Sequence, residues 1–225
     1  MFALDWDSIV AARNVIGAGV AVTLQVTLVA IAGGIVGGAV LAICAVSGRR
    51  SLQLFAKFYV ALFRAVPLVM LLLWFFLIVP QVLRTFFGLS PSIDIRLVSA
   101  MVAFVLLESA FFAEIIRAGI LGLSKGQFEA AAALGMTRYQ TMRLVILPQA
   151  FRAMLPIMLT QCIVIFQDTS LVYVISLGDF FRNTVSIGER DGTLVPMLLL
   201  AGAAYWAICS GLSGLVRVLQ NRAAA

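Results

Sequence analysis

Four ionisable side chains fall inside apolar stretches of this 225-residue chain: Arg64, Glu108, Glu114 and Asp168. Charge in such surroundings is costly, so each is a functional candidate by default. Glu108 has no cation within reach on its own helix. It needs a partner from another helix, a proton, or the ammonium group of a ligand. Glu114 lies six residues on, about 9 Å along a helix and rotated about 120°, so the two carboxylates do not share a face. Glu114 and Arg117, at i and i+3, have the spacing to pair with each other. Arg64 sits beside Pro67 and serves equally well as a gate, a packing partner or a ligand clamp.

A polar patch accompanies Asp168. Gln161 and Asp168, seven residues apart, share a face that Gln167 does not, and Thr169 and Ser170 add hydroxyls. Hydrogen bonding between helices explains such groups as readily as ligand binding does. A zwitterionic amino acid needs a carboxylate for its ammonium and donors for its carboxylate, and this inventory holds both. If Glu108 and Asp168 worked as acid and base, the chain would be a membrane-embedded enzyme. The sequence has no histidine, which removes the commonest base and, with it, Cys/His metal sites. No catalytic or metal-ligating residue is assigned.

The elements that carry these groups are membrane helices. The chain is 63% hydrophobic and 12% charged, with mean hydropathy +1.09, against about 25% charged residues in a soluble domain. Cys44, Cys162 and Cys209 all lie in apolar stretches, as packed hydrophobes do. A span needs roughly 20 apolar residues, and five candidates emerge at about 17–46, 58–80, 97–122, 150–175 and 194–216. The basic residues lie among them, which points to membrane topology rather than nucleic acid.

Orientation follows from the same residues. With the N-terminus outside, the outer segments hold Arg13, Arg84, Arg96, Arg182 and Arg190. The inner segments hold Arg49, Arg50, Lys57, Arg117, Lys125, Arg138, Arg143, Arg152, Arg217 and Arg222. Ten against five puts the C-terminus in the cytoplasm. Residues 1–16, with Asp5 and Asp7, then form a periplasmic segment without the basic flank of a cleavable signal. Gly33, Gly34, Gly37 and Gly38 predict close helix packing in the first span, and Pro67 predicts a kink in the second. Pro80 and Pro91 are expected to bracket an outer loop, and Gly188 and Gly192 to mark turns around Glu189–Asp191. No internal repeat suggests an autonomous, ion-coupled transporter.

The inner connection at 124–148 is more than a return to the membrane. Ser124 and Gln127 have capping-box spacing, the residues from Phe128 to Leu134 favour a helix, and Gly135 is placed to end it. A second helix is expected from Arg138 to Leu147, stopping at Pro148. Two readings fit the first helix: a rod docking on a cytoplasmic partner, its Ala130–Ala133 surface low in bulk, or an amphipathic helix on the inner leaflet.

Glu129-Ala130-Ala131, with Gly135 six residues on and Ile146-Leu147-Pro148 beyond, resembles the EAA loop of ATP-binding cassette importer permeases. Phe63–Leu68 (FRAVPL), Ala113–Ile120 (AEIIRAGI) and Gln167–Leu171 (QDTSL) extend the likeness over nearly the whole chain, to the polar amino acid permeases of the histidine/glutamine/glutamate branch. The stretches LLLWFFLIVPQ, FQDTSLVYVI and IGERDG are similar to permeases that import glutamate and aspartate. Ala65 departs from the glycine or serine many relatives have there.

The resemblance implies an all-α membrane protein of five transmembrane helices with the type I (MetI-like) permease architecture, in the bacterial inner membrane. It implies that Gln127, Glu129, Ala130, Ala131 and Gly135 couple the chain to an ATPase, and that Arg64, Glu108, Gln161, Asp168, Thr169 and Ser170 are candidates for the substrate path. The implied partners are two ATP-binding subunits, a periplasmic amino acid-binding protein, and a second permease, homologous or identical. With no G-x-x-x-x-G-K-[ST] loop in the chain, ATP and Mg would be bound by the partner ATPase. The four internal charges pull the other way on cargo. The three carboxylates outnumber Arg64, which suits a cationic or neutral substrate.

Overall fold

The computed structural model describes residues 10–87 and 94–224. Asp5, Asp7 and Pro91 lie outside them. All regular elements among the described residues are helical: α1 Arg13–Val46, α2 Arg50–Ala65, α3 Leu68–Phe87, α4 Arg96–Leu121, α5 Lys125–Ala133, the short α6 Arg138–Gln140, α7 Leu147–Asp168, α8 Phe180–Asp191 and α9 Leu194–Ala224. A π-helical turn, Thr141–Ile146, joins α6 to α7, and a 3-10 segment, Thr169–Ile175, follows α7.

The centre of the bundle is α4, which buries Ala100, Ala103, Phe104, Leu107, Glu108, Ala110 and Phe112. Its most extensive contact is with α1, and the four glycines explain why. A Cβ on Gly37 would fall on the Ser109 hydroxyl. One on Gly38 would stand 2.6 Å from Phe112 Cβ and 2.8 Å from the Ala113 nitrogen. Gly33 and Gly34 meet Val105 and Glu108 as closely. Lipid gives two apolar helices little hydrophobic reason to associate, so this backbone proximity and its dispersion contacts hold the pair. Packing is thus the role the glycine run performs.

Among the described residues, four helical stretches are long and apolar enough to cross a membrane: Arg13–Val46, Arg96–Leu121, Arg138–Ile175 and Leu194–Val218. The second expected span is not one rod. At Val66-Pro67 the chain bends by 97°, and α2 and α3 are separate helices. Proline removes one ladder donor and disfavours helical geometry at the residue before it; Val66 accordingly adopts an extended conformation (φ −98°, ψ 128°). What was expected as a kink is a corner. Counting the bent pair as one span gives five.

Three other expectations are corrected. Pro80 lies inside α3 and brackets no loop, as membrane helices tolerate when neighbours satisfy the freed carbonyl. Gly188 lies inside α8, where a Cβ would approach Leu194 Cα to 2.9 Å; only Gly192 makes a turn, at φ +69°. Pro148 does not stop a helix. The π turn before it carries a wider ladder, with the Leu147 amide donating to the Met142 carbonyl, and Pro148 then occupies the first turn of α7, where its missing N–H costs nothing.

Candidate functional site

Glu108 sits midway along α4, 1% exposed, with Gly34 of α1 packed against its Cβ. Its partner comes from α7: the Gln161 side-chain amide donates to Glu108 Oε2 at 2.9 Å. Asp168, two turns beyond Gln161 on the same face, is half-buried at the end of α7 and within electrostatic reach of Glu108. Among the described residues Asp168 makes no hydrogen bond or ion pair. Thr169 and Ser170 are occupied locally. Their hydroxyls donate to the Phe166 carbonyl at 2.6 Å and the Gln167 carbonyl at 2.9 Å, which tightens the chain into its 3-10 segment.

The structure therefore brings Glu108, Gln161 and Asp168 together and leaves Arg64 apart. Arg64 is exposed on α2, its guanidinium 5.4 Å from the centre of the Phe111 ring. It lines a cavity of about 380 Å³ with Lys57, Glu114 and Arg117. Glu114 is held by Arg117, whose Nε donates at 3.0 Å, as the i, i+3 spacing anticipates.

A polar groove on α9 was not anticipated. Ser210, Ser213 and Arg217 line a cavity of about 590 Å³ together with Gln167 of α7, Tyr205 and Trp206. Its lining is rich in donors and has no carboxylate. Serines in an apolar run carry weak polarity, but their spacing to Arg217, at i+7 and i+4, was the available signal.

At the far end of the bundle, Arg96 donates to both Asp94 oxygens at 3.0 and 3.1 Å and to the Ser176 carbonyl at 2.9 Å. The hydrogen bonds from Arg96 hold the Asp94 carboxyl down at about 2. Asp179 caps α8, accepting from the Phe181 and Arg182 amides at 3.1 and 2.9 Å. Burial nonetheless pushes its carboxyl up to about 6.

The connection between α4 and α7 carries α5, which packs against the π turn at the start of the α7 stretch. The nine residues of α5 give a rod of about 13 Å. Ser124 occupies the N-cap but makes no side-chain cap. The expected capping box fails because Gln127 is engaged elsewhere: the Gln149 amide donates to Gln127 Oε1 at 3.0 Å, fastening α5 to the start of α7. The box forms one element later, between Thr137 and Gln140. Gly135, at φ +73°, ends α5, and the Met136 amide closes back on the Ala131 carbonyl at 3.1 Å. Ala131 is buried, whereas Glu129, Ala130, Ala132 and Ala133 are exposed. Leu134 (81%) and Tyr139 (69%) flank them as large exposed apolar groups.

Residues 34–225 match the family described as "Binding-protein-dependent transport system inner membrane component". The chain belongs to that family. As one of these inner-membrane components it is 55% identical over 224 residues to the glutamate/aspartate import permease protein GltK of Escherichia coli O6:H1, covering all of both chains. It is 32% identical to the arginine transport system permease protein ArtQ of Bacillus subtilis, over 97% of each. Its fold is that of a chain in the crystal structure of an amino acid ABC transporter with histidines: TM-score 0.88, 30% identity, 98% of this chain and 99% of that one. The all-helical, MetI-like permease architecture and the multi-pass inner-membrane location follow.

Proposed function

We propose that this chain is one permease half of an importer that carries glutamate and aspartate across the inner membrane, driven by ATP hydrolysed on a separate subunit. The observation that carries the reading is the 55% identity, without a gap in coverage, to a glutamate/aspartate import permease. In this reading the N-terminus is periplasmic and the C-terminus cytoplasmic, as the basic residues favour. A second permease, a homologue rather than a copy, completes the path. Two ATPase subunits bind ATP and Mg and grip α5, and a periplasmic binding protein delivers the cargo to the outer loops.

Gln127, Glu129, Ala130, Ala131 and Gly135 form the coupling element. Gln127 ties the rod to α7, Gly135 sets its exit, Ala131 seats it, and Glu129 and Ala130 face the partner. Movement of α5 is thereby transmitted directly to the helix that bears Gln161 and Asp168. Asp168, half-buried, holds the ammonium side of the cargo, and the buried Glu108–Gln161 pair fixes the helix that carries it. In this reading the donor-lined α9 groove offsets the three internal carboxylates: Ser210, Ser213, Gln167 and Arg217 are groups suited to the cargo carboxylates. Thr169 and Ser170 shape the path through the backbone turn they stabilise.

The test is Glu129→Ala in the reconstituted complex of both permeases, ATPase and binding protein. ATP hydrolysis should persist while its stimulation by the loaded binding protein and the uptake of glutamate fall together. Uptake equal to wild type would overturn the coupling assignment.

A further inference from the structure

α2 has three faces. Arg50, Lys57 and Arg64 recur at intervals of seven residues, so they form one row along the helix, drifting only ~20° per interval. On one side of the row, Ala56, Val60 and Phe63 pack toward the bundle, and the Tyr59 hydroxyl donates to the Leu106 carbonyl of α4 at 2.9 Å. On the other side, Leu54, Phe55, Phe58 and Leu62 are exposed, Leu54 and Phe58 by about two thirds. The corner at Val66-Pro67 sets α2 at 97° to α3. A helix set nearly perpendicular to the one that follows it, with a bare apolar face and a row of cations at its edge, has the form suited to the plane of the bilayer interface.

Two cations of the row, Lys57 and Arg64, open on the cavity of about 380 Å³ between α2 and the last turns of α1 and α4. Lys57, Arg64 and Arg117 face it, with Leu41 and Ala45 among its apolar walls. Among the described residues Glu114 is the one acidic group lining it, and it is already paired with Arg117. Three cations against one engaged carboxylate leave an excess of positive charge over an apolar wall.

We propose that this cavity is a binding site for an anionic phospholipid: the headgroup phosphate against Lys57, Arg64 and Arg117, the acyl chains along Leu41, Ala45 and the exposed apolar face of α2. A zwitterionic phospholipid cancels its phosphate with its own amine and gains less from the row. The site holds whichever leaflet α2 faces, so it stands independently of the topology and cargo proposed above. Arg64 then acts as a lipid ligand at the hinge between α2 and α3, outside the cargo path.

The experiment is native mass spectrometry of the full-length chain in its transporter complex. The complex is delipidated stepwise and then offered phosphatidylglycerol and phosphatidylethanolamine with matched acyl chains. Wild type should retain phosphatidylglycerol preferentially. Each cation removed should lower the preference by roughly fivefold, so Lys57→Gln/Arg64→Gln should lose about 25-fold, while Arg152→Gln on α7 leaves it unchanged. If the double variant does not assemble, Lys57→Gln alone, at an exposed position, should show the fivefold step. Equal retention of the two lipids by wild type, or a preference untouched by Lys57→Gln, overturns the proposal. Displacement of the lipid by millimolar inorganic phosphate would also overturn it, by making the cavity a site for free anions.

Discussion

Replacing Gln161 by leucine removes the one hydrogen-bond donor that, among the described residues, reaches the buried Glu108 carboxyl. Leucine is close in volume, so packing is nearly preserved and the loss is polar. Interhelical hydrogen bonds in membranes average only ~0.6 kcal/mol and reach ~1.7. An orphaned buried polar group costs about 1–3 kcal/mol, and that larger range applies because Glu108 is 1% exposed and cannot turn to water. For a chain of this size the loss corresponds to roughly 2–12 °C in melting temperature. The assay is thermal unfolding of the purified complex, run as a double-mutant cycle with Glu108→Leu. Gln161→Leu should destabilise, and the double variant Glu108→Leu/Gln161→Leu should recover at least part of the loss, since both partners are then apolar. Strictly additive losses, or a Gln161→Leu variant as stable as wild type, would refute the pairing as a structural and functional unit.

Gly38→Leu should prevent stable association of α1 with α4, because the first atom of the new side chain already meets Phe112 and the Ala113 backbone; loss of folded protein in detergent, with Gly17→Leu tolerated in open space, checks this. Arg217→Gln should raise the KM for glutamate uptake by about 10-fold or more, the worth of a hydrogen bond to a charged group, with little change in ATP hydrolysis. The Asp179 carboxyl, raised from its ordinary 3.8 to about 6, makes the folded state take up a proton the unfolded state releases. The contribution of Asp179 to stability should therefore be full below about pH 4 and be lost as pH rises to about 6, by on the order of 2–3 kcal/mol. Asp179→Asn keeps the α8 cap and should flatten that slope in melting curves taken from pH 4 to 7.

The parts of this fold legible in the sequence are those set by local chemistry. The glycine run in α1 announces close packing because nothing else in an apolar helix needs four small residues at that spacing. Glu114 and Arg117 announce their pairing by their separation. The corner at Pro67 was legible as a kink only, because a proline reports a broken ladder and says nothing of the angle; the row Arg50-Lys57-Arg64 marked the stretch before it as amphipathic, unlike the apolar helix that follows. Glu108 required a partner on another helix, yet Gln161 stands fifty-three residues away, and only the bundle decides which polar group on α7 comes level with it. Ser124 and Gln127 show the converse failure. A local motif was written correctly and lost to Gln149, whose distant side chain made the better use of Gln127. The α9 groove was hidden because its serines are polar only in company, and Gln167 supplies that company from α7.

The most direct measurement of the central claim is uptake of labelled glutamate into proteoliposomes containing this chain, its companion permease, the ATPase and the binding protein. Accumulation should require ATP and all components, and unlabelled aspartate should compete where arginine does not. Accumulation by the chain alone under an ion gradient, or ATP-driven uptake that arginine blocks and aspartate leaves untouched, would contradict the account.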